Sequence, residues 1–168
     1  MMYLESTNNY RRSHEVYDLK FSQDLATDAQ NYADEMQANY DATGKSDIGA
    51  AFKHSDASSR PGQGENLGYY EEIPPDTDGV LSTTNYINDA WYDEVDDYNF
   101  NDPGNSAPGK MIGHFTAMVW RDTCEIGCGV SENFVVCRYR EPGNVRLNGT
   151  FDLYLENVCP LGVKCYVE

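Results

Sequence analysis

Positive charge is what this chain has least of. Twelve lysines and arginines stand against twenty-eight aspartates and glutamates, a formal net charge of −16. A surface of that sign repels nucleic-acid phosphates and anionic lipid headgroups, which argues against nucleic acid as a partner and against an electrostatic grip on membranes. Long apolar runs are missing too. Nothing approaches the ~20 residues that span a bilayer, so no transmembrane segment is expected. Met1-Met2-Tyr3 opens no cleavable leader, and neither an internal repeat nor a low-complexity tract is apparent. No cysteine precedes Cys124, and histidine occurs only three times. A chain of 168 residues fits one compact domain, taken as 1–160, followed by a short cysteine-containing tail at 161–168.

The five cysteines, Cys124, Cys128, Cys137, Cys159 and Cys165, all lie in the C-terminal third. Cys124-Glu125-Ile126-Gly127-Cys128 is not a redox or zinc-ribbon spacing, and no second close pair completes a zinc site. Two disulfides, one thiol left over and secretion are expected, with reduced buried thiols in a cytosolic protein as the alternative. Which cysteines pair is open. Asn148-Gly149-Thr150 is an acceptor sequon, in agreement with secretion. The acids Asp89, Asp93, Glu94, Asp96, Asp97 and Asp102 read as a solvated helix face and loop. Asp76-Thr77-Asp78-Gly79 resembles the middle of a calcium loop, but Pro74 and Asn85 occupy its first and last ligand positions and the pattern fails.

Helices come first along the chain and strands last. Thr7 to His14 reads as a short helix. Ser22 is placed to cap a second, whose residues Leu25, Ala29, Tyr32, Ala33, Met36 and Tyr40 follow helical spacing. Residues 44–64 form a polar, glycine-punctuated loop, and Pro74-Pro75 marks another break before a helix from about Ser82. In that helix Ile87, Trp91 and Glu94 share a face, and a carboxylate on an apolar stripe needs a partner. Residues 101–110 are loop; Ile126 to Val130 and Phe134 to Cys137 read as strands, the second apolar enough to be covered on both faces. Leu153-Tyr154-Leu155 suggests an edge strand or short terminal element. Helices flanking a small sheet make an α+β fold, a layered α-β-α domain.

Two of the three histidines stand in settings that suggest chemistry. His114 lies in the apolar run Gly113-His114-Phe115-Thr116-Ala117-Met118-Val119-Trp120, and His54 shortly precedes Gly64-Glu65-Asn66-Leu67. With Glu65 and Glu94 they form a candidate polar site, since imidazoles and carboxylates suit zinc or a similar divalent ion. Glu65 is also a candidate general base for metal-bound water, or a carboxylate that bonds loop backbone beside Asn66. His114 taken alone also reads as a satisfied core histidine. Tyr69, Tyr70 and Trp120 are candidate cavity walls.

The same segments, with Cys137-Arg138-Tyr139-Arg140-Glu141-Pro142-Gly143-Asn144-Val145, resemble in order and context the signature motifs of the CAP superfamily. That superfamily comprises the cysteine-rich secretory, antigen 5 and pathogenesis-related 1 proteins. Within it the chain is similar to the Golgi-associated type through Lys53-His54-Ser55, Ser58-Ser59-Arg60, Tyr98-Asn99-Phe100 and Glu156-Asn157-Val158. The resemblance covers about Leu4 to Pro160. It implies a three-layer α-β-α sandwich with a small, mainly antiparallel sheet, and a cavity formed by His54, Glu65, Glu94 and His114. It also implies a neighbouring groove for a sterol, fatty acid or protein partner, and a dimer in some members. Asn8 and Arg11 match a helix-one motif whose leading histidine is Thr7 here, and Asn66 and Asn144 fall where loops are pinned. The Golgi-associated type carries a lipidated glycine where this chain has Met2, and a serine for which Gly68-Tyr69-Tyr70-Glu71-Glu72 has no counterpart. A secreted binding protein is therefore expected, with zinc or another divalent ion as cofactor. The alternatives are a metal-dependent peptidase or other hydrolase and a protein on the cytoplasmic face of the Golgi membrane.

Overall fold

The computed structural model describes residues 2–72 and 83–164; the Asp76 segment, Pro74-Pro75, Ser82 and Cys165 lie outside them. Among the described residues are the helices α1 (Met2–Ser13), α2 (Gln23–Ala42), α3 (Thr83–Tyr92), α4 (Gly113–Val119) and α5 (Asp152–Asn157). The strands are β1 (Lys20–Phe21), β2 (Gly64–Tyr69), β3 (Glu125–Val130) and β4 (Phe134–Arg140), in the sheet order β1-β3-β4-β2. Only β1, at one edge, runs parallel to its neighbour; β2 and β3 both pair antiparallel with β4.

β4 is central, and its alternating residues separate two cores. Phe134 and Val136 pack with Ala29, Ala33, Met36 and Tyr40 of α2. Val135, Cys137 and Tyr139 pack with Trp91, Phe115 and Met118 from the helices on the other face. Strand side chains alternate in direction, so a run that is apolar throughout requires both faces to be covered. The result is a three-layer sandwich with α2 on one side and α1, α3 and α4 on the other.

α2 lies almost on the sheet. A Cβ on Gly127 would stand 2.1 Å from the Ala26 nitrogen, and one on Gly129 would stand 2.2 Å from Gln30. The two glycines of β3 remove the side chains that would hold the helix away. On the opposite face Arg11, fully buried, donates to four backbone carbonyls: Nε to Tyr17 at 2.7 Å, Nη1 to Met118 and Trp120 at 2.9 Å each, and Nη2 to Thr123 at 3.0 Å. Burial lowers its pKa to about 10, and the charge remains. Asn8 exchanges bonds with the Leu19 amide and carbonyl at 2.8 and 3.1 Å. Both residues tie α1 to the chain that follows it.

Several local features depart from expectation. α1 begins a turn before Thr7 and ends before His14, which is fully buried in a box of aromatic rings and bonded to the Cys159 carbonyl and the Tyr92 hydroxyl. Ser22 occupies the cap position of α2, but its hydroxyl donates to Asp24 instead of accepting from backbone. Gly64 to Tyr69, marked by its motif and not by apolar alternation, is strand β2. Leu153 to Leu155 is the short terminal element and not an edge strand, as part of helix α5. Cys128 and Cys137, directly opposite on β3 and β4, form a disulfide; Cys159 is also disulfide-bonded, and Cys124 is free and exposed.

Candidate functional site

The four polar residues of interest form two histidine–carboxylate pairs. In the first, Glu65 on β2 is opposite Arg138 on β4, a register that sets a carboxylate beside a guanidinium. Arg138 Nη2 lies 3.0 Å from Glu65 Oε2. Ser55 donates to the same carboxylate from its amide at 3.0 Å and its hydroxyl at 2.9 Å, and His54 Nδ1 donates at 2.7 Å. Burial opposes ionisation of Glu65, but the His54 bond, the Arg138 charge and the Ser55 bonds outweigh it, so its pKa lies below the usual range. A carboxylate so fully engaged is a weak base.

The second pair is built at a helix start. Glu94 lies beyond the end of α3, in the 3-10 turn Asp93–Asp97, rather than on the helix itself. Its Oε2 accepts the amides of His114 at 2.8 Å and Phe115 at 3.1 Å, which are unbonded groups of the first turn of α4. Its Oε1 accepts His114 Nδ1 at 2.6 Å. Glu94 thus closes the helix and orients the ring. Trp91 stacks on that ring, with centroids 5.8 Å apart.

Each Nδ1 faces a carboxylate, so in a neutral ring the proton sits there and Nε2 is the lone-pair donor. Both histidines line one cleft of about 460 Å³ with Glu94. Its other walls are mostly apolar, including Ile48, Phe52, Leu67, Ile87, Trp91 and Met111, with Lys53 the charged exception. Among the described residues no three His, Cys, Asp or Glu side chains are gathered closely enough to hold an ion. The carboxylates are committed to their histidines. That leaves the two imidazoles as the uncommitted donors at the cleft, with the glutamates behind them as the groups that fix ring orientation.

Residues 4–139 match the CAP family of cysteine-rich secretory proteins. The chain belongs to the CAP family. This CAP chain is 35% identical over 164 residues to human Golgi-associated plant pathogenesis-related protein 1, covering 94% of the chain and 90% of that protein. It is also 35% identical over 151 residues to protein PRY2 of Saccharomyces cerevisiae, covering 85% of the chain and 35% of the yeast protein. The fold is similar to BmVAL-1, with a TM-score of 0.66 at 20% identity over 95% of the chain and 81% of that structure. It is likewise similar to NaASP2, solved with Zn2+, with a TM-score of 0.57 at 20% identity over 98% of the chain and 86% of that structure.

The remaining motif residues of the CAP chain hold the site in place. Asn66 donates to the His114 carbonyl at 3.1 Å and the Tyr139 hydroxyl at 3.2 Å, joining β2 to α4. Asn144 donates to the Gly113 carbonyl at 2.8 Å and accepts from Thr116 at 2.6 Å. Of the three aromatic candidates only Tyr69 lines the cleft. Tyr70 bonds the Ser131 carbonyl, and Trp120 is buried against Tyr154. Arg138 and Ser55 stand inside the quoted motifs, but their role as partners of Glu65 was not legible there, because only the β2–β4 register and the folding of the His54 loop bring them to it; Ile48, Phe52 and Met111 of the apolar wall carry no motif at all.

Proposed function

We propose that this CAP protein is a secreted binding module that takes a divalent ion between His54 and His114 and a sterol or other lipid in the apolar cleft beside them. One observation carries the reading: two imidazoles from separate segments, each fixed by a carboxylate, open onto the same largely apolar cleft. Zinc suits neutral imidazole nitrogen, with water completing the coordination. When bound, the ion supplies positive charge and open coordination positions at the polar end of the cleft. The NaASP2 structure with Zn2+ supports this assignment, and the Cys128–Cys137 disulfide supports an oxidising compartment. The full engagement of Glu65 favours binding over hydrolysis.

Calorimetric zinc titration near neutral pH tests the ion site in wild type, His54→Ala and His114→Ala. Saturable binding is expected in wild type and in neither variant; wild-type silence, or a variant that binds as well, overturns the two-histidine site. Trp91 fluorescence reports the cleft, since that indole stacks on His114 and lines the wall. A saturable change with a soluble sterol is expected, and its absence with both sterol and fatty-acid probes removes the lipid reading.

A further inference from the structure

Asn148-Gly149-Thr150 is the one Asn-X-Ser/Thr sequence of the chain, and Asn148 lines no wall of the cleft. The segment folds as a tight turn, closed by the Thr150 amide donating to the Leu147 carbonyl at 2.9 Å. Asn148, at φ 50° and ψ 28°, and Gly149, at φ 81°, are both left-handed. That is the type I′ conformation, which Asn-Gly adopts at low steric cost. Asn148 is exposed at the tip of the turn. Asn8, Asn66, Asn144 and Asn157 donate from their side-chain amides to bonds that hold the fold together, whereas the amide of Asn148 has no partner among the described residues. Space around the turn is open, since a Cβ on Gly149 would meet no atom within 4 Å. The neighbouring Leu147 is 55% exposed, an apolar side chain left in water.

We infer that Asn148 is an N-glycosylation site whose sugar chain stands beside the exposed Leu147 and leaves the cleft open. This rests on the chain being secreted, because the transfer takes place in the secretory route. The donor is an oligosaccharide joined through its C1 to a lipid diphosphate. The side-chain nitrogen of Asn148 bonds that C1 as the C1–oxygen bond to the diphosphate breaks; the lipid diphosphate leaves with the bonding pair, and the amide gives up one proton. Thr150 supplies the hydroxyl that the acceptor sequence requires. In the folded protein this hydroxyl lies 2.9 Å from the Leu147 carbonyl and 2.8 Å from the Asp152 carboxylate, so it is committed to the turn. Transfer therefore falls on the open chain, and the fold has only to accommodate the product. It does so without losing a hydrogen bond, and the bulky, hydrophilic sugar lies next to apolar surface.

The test expresses the full chain behind a cleavable leader in a eukaryotic secreting cell and weighs the secreted protein before and after treatment with a peptide N-glycanase. Wild type is expected to carry one oligosaccharide, which the enzyme removes and peptide mapping places at Asn148. Asn148→Asp, which keeps a residue that tolerates left-handed backbone, should carry none, and neither should Thr150→Ala. Thr150→Ser retains a hydroxyl and should keep the sugar. Secreted wild type of bare polypeptide mass overturns the site and leaves Asn-Gly with a turn role alone. Sugar that persists in Asn148→Asp places the modification elsewhere and overturns it equally. Protein from the native source separates the site from its premise. Sugar there at Asn148 supports both; a bare native chain beside a glycosylated leader-directed one shows that the protein does not take the secretory route, which overturns secretion and the glycan with it, although the acceptor works.

Discussion

Glu65 shows how one residue serves fold and site together. It is buried opposite Arg138, so removing its charge leaves a guanidinium with fewer partners than its burial requires. Glu65→Gln is expected to destabilise the protein by about 3 kcal/mol near neutral pH, measured by denaturant unfolding. The difference has a defined pH dependence. The folded-state pKa is depressed, so the stabilisation is present above the unfolded value of about 4.3 and is lost as pH falls through the folded value. Wild type and variant should therefore converge in acid, and a gap that is constant down to low pH would contradict the ionic account. His14 acts in the same direction at higher pH, because burial lowers its pKa and favours the neutral ring. Its contribution begins to fall away once pH drops below the unfolded value of about 6.5.

Among the elements, the contact of α2 with β3 depends on Gly127 and Gly129. Their absent side chains let helix backbone lie directly on strand backbone, a closeness the sequence marks only as a glycine-rich strand. Gly127→Ala must push α2 outward or bend β3, because the atoms it meets include backbone of Leu25 and Ala26. The expected cost is about 3 kcal/mol, at the upper end of overpacking penalties, read as a lowered denaturant midpoint. Gly44, in a turn with nothing near its Cβ position, is the contrasting site: Gly44→Ala meets no neighbour, and its cost comes only from φ 66°. If Gly127→Ala proves as mild as Gly44→Ala, the helix is not seated as described. α4 illustrates the opposite dependence, since a helix of seven residues has little stability of its own and relies on Glu94 and Asn144 for its first turn.

For the molecule as a whole, the cross-strand disulfide and the free thiol make separate statements. Native protein treated with an alkylating agent should be modified at Cys124, with Cys128 and Cys137 labelled only after reduction and unfolding. Labelling of all three before reduction would remove the argument for an oxidising compartment. Much of this architecture was legible in the chain. The helical spacing of Leu25 to Tyr40, the all-apolar Phe134 to Cys137 run and the motifs around Glu65, Glu94 and His114 fixed the layers and the residues worth watching, because period and burial are local properties of sequence. Other features are set by contacts distant in sequence. Strand β2 lacks an apolar alternation, and becomes a strand because β4 offers it a partner. His54 and Glu65, and likewise Glu94 and His114, find each other only when separate segments close around the sheet. The amino-acid order was enough to single out two histidines and two glutamates, because residue type and motif are local properties. That the carboxylates orient imidazoles followed from the fold alone, since their lone pairs are taken up by ring, amide and guanidinium donors that come within reach only in the folded chain.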